Sequence, residues 1–133
     1  MIVVDTNVLV YLMIQGDHTE EALKLFARDP DWHSESFILT EFTNVLATYL
    51  RSQLLHRVQA ERLLREAQAQ LTDLVNVPHL HALRVSDEFG ISSYDARFVA
   101  AARDLNKKLI TEDLKLRRAV PRLTISLAEW LSA

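Results

Sequence analysis

Short apolar runs alternate along this chain with longer stretches whose apolar residues recur at helical spacing. Ile2-Val3-Val4 is continuously apolar, as a strand covered on both faces of a parallel sheet should be. A helix is predicted from Asn7 to Gln15, with Gly16 placed to end it. Thr19-Glu20-Glu21 offers an N-cap, and acids for the positive end of a second helix running to Arg28. Asp29-Pro30-Asp31 makes a turn ahead of a short strand, Trp32 to Ser34. Between Phe37 and Leu54, the residues Ile38, Phe42, Val45, Leu46, Tyr49 and Leu50 keep helical spacing, and another amphipathic helix covers Arg57 to Leu71. Leu74 to Val77 reads as a strand closed by Pro78, and His79 to Phe89 as a helix stopped by Gly90. Ser93 to Asn106 is helical. Leu109-Ile110-Thr111 and Leu123-Thr124-Ile125 are strands on either side of a helix from Leu114 to Ala119, and a short helix from Ala128 to Leu131 comes last.

Strands separated by helices imply an α/β fold: a three-layer sandwich around a mostly parallel sheet of about five strands. The 133 residues suit one compact domain over 1–133. Ligands of such sheets gather beyond the carboxyl ends of the strands, near the point where strand order reverses. Asp5 follows the first apolar run and Asp113 follows Leu109-Ile110-Thr111, so both fall at that edge.

Two further acids join them in the pattern. Glu41 shares a helix face with Asn44 and Thr48, opposite the apolar stripe, and Asp95 opens the helix that begins at Ser93. Each acid has an ordinary explanation. Asp5 and Asp113 suit helix caps, Asp95 closes an S-x-x-D box with Ser92, and Glu41 suits a solvated helix face. Independent capping does not require convergence, and the joint placement aims all four at one spot. Clustered carboxylates raise one another's pKa, and a divalent cation such as Mg²⁺, which favours oxygen ligands, relieves them. That chemistry points to a metal-dependent phosphodiesterase.

Composition narrows the field. The chain has no cysteine, which excludes disulfides and thiolate metal sites and fits a reducing compartment. The apolar stretch from Ile2 to Ile14 carries Asp5 and Asn7, lacks a basic leader and is too short to span a bilayer. A cytoplasmic protein with no membrane partner is expected. The net charge of −3 is unusual for a nucleic-acid binder, but it is unevenly spread. Arg103 to Arg122 is net +4 and the remainder net −7, so those cations either face a nucleic acid or decorate solvated helices. His79 and His81 lack the i, i+4 spacing of a helical zinc site, and Trp32 and Trp130 read as core or interface aromatics.

Ile2-Val3-Val4-Asp5-Thr6-Asn7-Val8-Leu9, the stretch Ser36 to Glu41 leading into Glu41-Phe42-x-Asn44-Val45-Leu46, Ser93-Tyr94-Asp95-Ala96 and Leu109-Ile110-Thr111-x-Asp113 together resemble the PIN-domain ribonucleases. Within these, the likeness is to VapC-type toxins of toxin–antitoxin pairs, and it spans nearly the whole chain in order. The resemblance implies a five-stranded parallel sheet and a homodimer. It also implies Mg²⁺- or Mn²⁺-dependent endonucleolytic cleavage of RNA, and a cognate antitoxin protein as partner. By position it implies Asp5, Glu41, Asp95 and Asp113 as the metal-binding acids, Thr111 as an orienting hydroxyl and Asn7 as a supporting group. Glu112, next to Asp113, is expected to point away from them.

Other chemistries fit less well. A haloacid-dehalogenase-type phosphatase needs a second Asp where Asn7 stands, and a receiver domain usually pairs acids after its first strand, where only Asp5 is present. No glycine-rich phosphate loop occurs. The alternative of another class is a non-catalytic protein-interaction module with an inert acidic pocket.

Overall fold

The structure, a computed structural model, describes residues 1–133. Five strands, β1 (Ile2–Val4), β2 (Trp32–Glu35), β3 (Leu74–Val75), β4 (Leu109–Ile110) and β5 (Thr124–Ile125), form one parallel sheet in the order β3-β2-β1-β4-β5. From the central β1 the chain steps outward to β2 and β3, then returns to the other side of β1 for β4 and β5. The direction of winding therefore reverses between β1 and β4. Val3 lies opposite Leu109 and Val4 opposite Ile110, which brings residues 5 and 111 together just past the carboxyl ends of the two strands. The N–H of Asp5 continues the ladder to the carbonyl of Ile110 at 2.9 Å.

Helices α1 (Thr6–Met13), α2 (Thr19–Arg28), α3 (Phe37–Arg51), α4 (Arg57–Gln70), α5 (His79–Phe89), α6 (Ser93–Asp104), α7 (Leu114–Ala119) and α8 (Leu127–Ser132) connect and cover the strands. α6 lies across β1, β2 and β4, with α5 packed against it. Its Ala96, Phe98, Val99, Ala100, Ala101 and Ala102 are all buried, as in a helix with no solvated face along much of its length. The run of alanines lets the helix axis sit close to the sheet. α1 packs on α2, α3 and α4, and α2 packs on α8. Trp32 is part of the core, its ring edge-on to Phe26 and its Nε1–H donating to the Asp29 carbonyl at 2.9 Å. No helix is long and apolar enough to cross a membrane.

The element order matches the sequence pattern, while several ends move. α1 begins at Thr6 and stops at Met13, two residues short of the expected Gln15, so Gly16 does not end it. Its reason for stopping lies in Thr19, whose hydroxyl accepts the Gly16 N–H at 2.9 Å and donates to the Ile14 carbonyl at 3.2 Å. That side chain spans the turn instead of capping α2, in which Thr19 is already helical. α3 ends at Arg51, before Leu54, because Gln53 takes a left-handed conformation with φ of 60°. β2 extends one residue past Ser34 to Glu35, and β3 is confined to Leu74 and Val75. Thr111 lies beyond β4 itself and pairs its N–H with the Ile125 carbonyl at 3.0 Å.

Gly90 closes α5 as expected, at φ 65°, with nothing within 4 Å of the position a Cβ would take. Gly90→Ala therefore tests backbone conformation free of steric clash. It is expected to lower stability by about 1 kcal/mol in urea unfolding without changing the m-value.

Candidate active site

Asp5 stands at the reversal point of the sheet and is buried, at 7% exposure. It serves as N-cap of α1, its Oδ1 accepting the Thr6 N–H at 2.8 Å. Its other oxygen, Oδ2, accepts from Thr111 Oγ1 at 2.7 Å and from Asn7 Nδ2 at 3.4 Å. Capping and clustering are therefore not alternatives for this residue. One oxygen serves the helix and the other faces the end of β4.

Thr111 and Asn7 form a knot around that carboxylate. Thr111 Oγ1 donates to Asp5 and accepts from Asn7 Nδ2 at 3.2 Å and from the Asp113 N–H at 3.1 Å. Asn7 Oδ1 accepts the Glu112 N–H at 3.1 Å. Together, Asp5 and Asn7, following β1, hold the Thr111 side chain and the Glu112 N–H, and Thr111's own hydroxyl holds the Asp113 N–H. Arg117 adds a further restraint from α7, its Nη1 donating to the Thr111 carbonyl at 2.9 Å.

The other three acids are each placed by their own helix. Asp113 caps α7, its Oδ1 accepting the Leu116 N–H at 3.1 Å. Asp95 lies in the first turn of α6 and has its backbone N–H on Ser92 Oγ at 3.0 Å. Asp95 and Asp113 line one cavity of ≈ 200 Å³ together with Lys115. Glu41, on the solvent side of α3, accepts from the Thr6 hydroxyl at 2.6 Å, which ties it to the residue after Asp5. Glu112 points elsewhere: Oε1 accepts the Leu127 N–H at 2.7 Å and Oε2 lies 3.6 Å from Arg117 Nη1.

Electrostatics links the four. Burial raises the pKa of Asp5 to about 6 from the usual 3.8, and the charges of Glu41 and Asp95 add to the rise. The Thr111 and Thr6 hydrogen bonds oppose it. Burial also raises Asp95, and the Asp113 charge adds to the rise while Ser92 and Lys115 pull the other way. Asp5 thus feels Glu41 and Asp95, and Asp95 feels Asp113. No group of three or more acids or histidines is arranged to hold an ion directly. What the structure holds is a chain of charge couplings, Glu41 and Asp95 with Asp5 and Asp113 with Asp95, in which Asp5 and Asp95 disfavour their own ionisation.

Thr6 and Glu35 escaped the sequence reading. Thr6 carried a detectable signal, since it neighbours Asp5 and occupies the first helical position. Glu35 gave none, because its burial depends on β2 running one residue further than its apolar character suggests. The remaining polar candidates lie off the site: His81 pairs with Asp104 at 3.2 Å, and Arg103 makes a bidentate pair with Glu88.

A model of the PIN domain matches residues 2–120. Ribonuclease VapC3 from Pyrobaculum aerophilum is 27% identical over 128 residues, covering 92% of this chain and 96% of that protein. Among solved structures, the crystal structure of PAE2754 from Pyrobaculum aerophilum superposes with a TM-score of 0.72 at 22% identity, over 98% of this chain and 91% of that one. A toxin–antitoxin complex from Klebsiella pneumoniae gives a TM-score of 0.71 at 19% identity, over 96% of this chain and 98% of its own. These likenesses in fold agree with a family match that runs from β1 through α7, and the chain belongs to the PIN-domain family.

Proposed function

We propose that this protein is a Mg²⁺- or Mn²⁺-dependent endoribonuclease, the toxin of a toxin–antitoxin pair, acting through Asp5, Glu41, Asp95 and Asp113. The observation that carries the reading is the buried Asp5, pushed up to about 6 at the reversal point of the sheet with like charges beside it. An arrangement that costs the apo protein stability needs a compensating cation, and an all-carboxylate donor set suits a hard one. The family match and the resemblance to a ribonuclease support RNA as the substrate.

Asp5 and Asp95 would hold the ion, with Glu41 and Asp113 completing the set. Such an ion activates a water and neutralises the scissile phosphate when bound. Thr111 keeps Asp5 Oδ2 oriented and favours its ionised form; Asn7 locks Thr111 and the 112 backbone in place. Thr6 orients Glu41 by the same kind of bond. Lys115 stands close enough to lower the Asp95 pKa and supplies positive charge beside Asp95 and Asp113, where RNA phosphate would approach.

A homodimer and an antitoxin are part of this reading. The fold resemblance to a toxin–antitoxin complex supports a protein partner. An antitoxin Arg laid among the acids would neutralise them by charge-assisted hydrogen bonds. Surface for such contacts is present: Leu80 and Leu83 are exposed on α5, and Leu54 and Val58 are exposed at the turn from α3 to α4.

Purified protein freed of any partner should cut RNA at discrete positions with Mg²⁺ or Mn²⁺ and stop when EDTA is added. Asp95→Asn should lower the rate by more than the roughly 10–100-fold typical of residues that only support metal ligands. Wild-type rates in that variant, or cleavage that persists in EDTA, would sink the reading.

The stability consequence has a definite sign. The folded-state pKa of Asp5, about 6, lies above its ordinary 3.8, so its ionisation penalty is absent below about pH 4 and complete above about pH 6. In EDTA, Asp5→Asn should therefore gain on the wild type by about 3 kcal/mol between those limits, as chemical denaturation at each pH would measure. Mg²⁺ at neutral pH should raise the wild-type melting temperature and leave the variant unmoved. Thr111→Val removes the bond that favours ionised Asp5, so the acid limb of the cleavage pH profile should move to higher pH.

A further inference from the structure

Two aromatic residues that the mechanism above does not use stand beside Asp95 and Glu41. Tyr94 directly precedes Asp95 in the first turn of α6, and Phe37 opens α3 one helical turn before Glu41. The two rings are stacked, with centroids 5.3 Å apart and planes 15° from parallel. The pair thus bridges the helices that carry two of the four acids. Both rings line a hollow of ≈ 450 Å³ together with Thr40, Glu41 and Asn44.

Buried groups fix the pair. Glu35, at the end of β2, accepts the Phe37 N–H on Oε1 at 3.1 Å, and its Oε2 lies 3.6 Å from Arg97 Nη1. Arg97 is three residues beyond Tyr94 on α6 and also donates to the Val77 carbonyl at 2.7 Å. One buried carboxylate therefore ties the start of α3 to the first turns of α6, and with them the two rings. Ser92 Oγ holds the same turn of α6 by accepting the Asp95 N–H at 3.0 Å.

Despite the stack, Tyr94 is 59% exposed, so ring surface stays open to solvent where it lines the hollow. A tyrosine ring already held by its neighbours loses little further entropy when a flat partner lands on it. Thr40 and Asn44 carry groups that both donate and accept, so they can meet the polar edge of any base without choosing among them. An open aromatic face beside such groups suits an unpaired nucleotide, whereas the bases of a duplex are already stacked on one another.

We propose that Tyr94 is a stacking platform for one unpaired base of the RNA substrate, next to the phosphate that reaches Asp95, with no selection among the four bases. This assignment rests on the ribonuclease reading for its substrate. Tyr94 touches the RNA without entering the chemistry: it sets the register of the strand against the acids. A paired base cannot reach the ring without leaving its helix, so unpaired RNA is preferred over duplex.

The test is fluorescence anisotropy of the full chain, freed of any partner, in EDTA, where no cleavage occurs. The probes are a short labelled unpaired RNA and its duplex, each at several salt concentrations. The unpaired form should bind more tightly. Tyr94→Ala should weaken that binding about tenfold, Tyr94→Leu should do the same although it still covers Phe37, and Tyr94→Phe should retain it. Duplex binding should not change, and the slope of affinity against salt should stay the same, because a stacking contact releases no counterions. Wild-type binding in Tyr94→Ala, an altered salt slope, an equal loss on duplex, or no binding of unpaired RNA by the wild type would overturn the proposal. So would a homodimer that dissociates in Tyr94→Ala while RNA binding holds, since the ring would then serve a protein contact. Cleavage with an unchanged KM in Tyr94→Ala would remove the platform and leave the nuclease; Tyr94-dependent binding without metal-dependent cleavage would do the reverse.

Discussion

The hydrogen bond from Thr111 to Asp5 joins two residues 106 positions apart at the point where the sheet changes winding direction. It satisfies a carboxylate oxygen that burial would otherwise strand, and it ties the ends of β1 and β4 above their backbone ladder. Two further groups of the site meet it. Asn7 and the Asp113 N–H converge on the same Thr111 oxygen, and Arg117 holds the Thr111 carbonyl. Removing that hydroxyl would therefore disturb the charge state of Asp5, the Asn7 side chain and the Asp113 N–H at once.

The network also explains how a short sheet tolerates a buried charge. β1 has only three residues and β4 two, so their ladder alone is a weak clamp. The polar knot supplies specificity that strand length does not. α6, buried along much of its length, packs on β1, β2 and β4 and carries Asp95 near its start. Packing and charge meet there: the helix that fills the core also delivers a carboxylate to its edge.

Much of this was legible in the residues. Continuous apolar runs with helical spacing between them identify the parallel α/β class, since a strand buried on both faces has no other common explanation. Asp5 was readable from its place after the first apolar run, and Asn7 and Thr111 only through the family resemblance; the three hydrogen-bond to one another. Ends of elements were less legible where a side chain overrides a propensity, as Thr19 does in arresting α1 short of Gly16. Glu35 was illegible in principle. An acid after Trp32-His33-Ser34 looks like the solvated end of a strand, and only the placement of α6, with Arg97 in reach, makes its burial possible. The sequence aims the four acids at one spot; the structure links them pairwise, without a ready-made group of three.

The two outermost strands bear on how this protein behaves among its own copies. β3 and β5 each contain only two residues, and the turns beside them bring Asp73, Asn76 and Pro78 on one side and Arg122 on the other. An unpaired strand edge is a template on which another chain can add by main-chain hydrogen bonding. With edges this brief, and charged or proline-bearing flanks, the template is too small to recruit a neighbour into a growing sheet. Fibre-like self-pairing through the sheet edges is thereby disfavoured by the geometry of the fold, and any association would fall to helix surfaces.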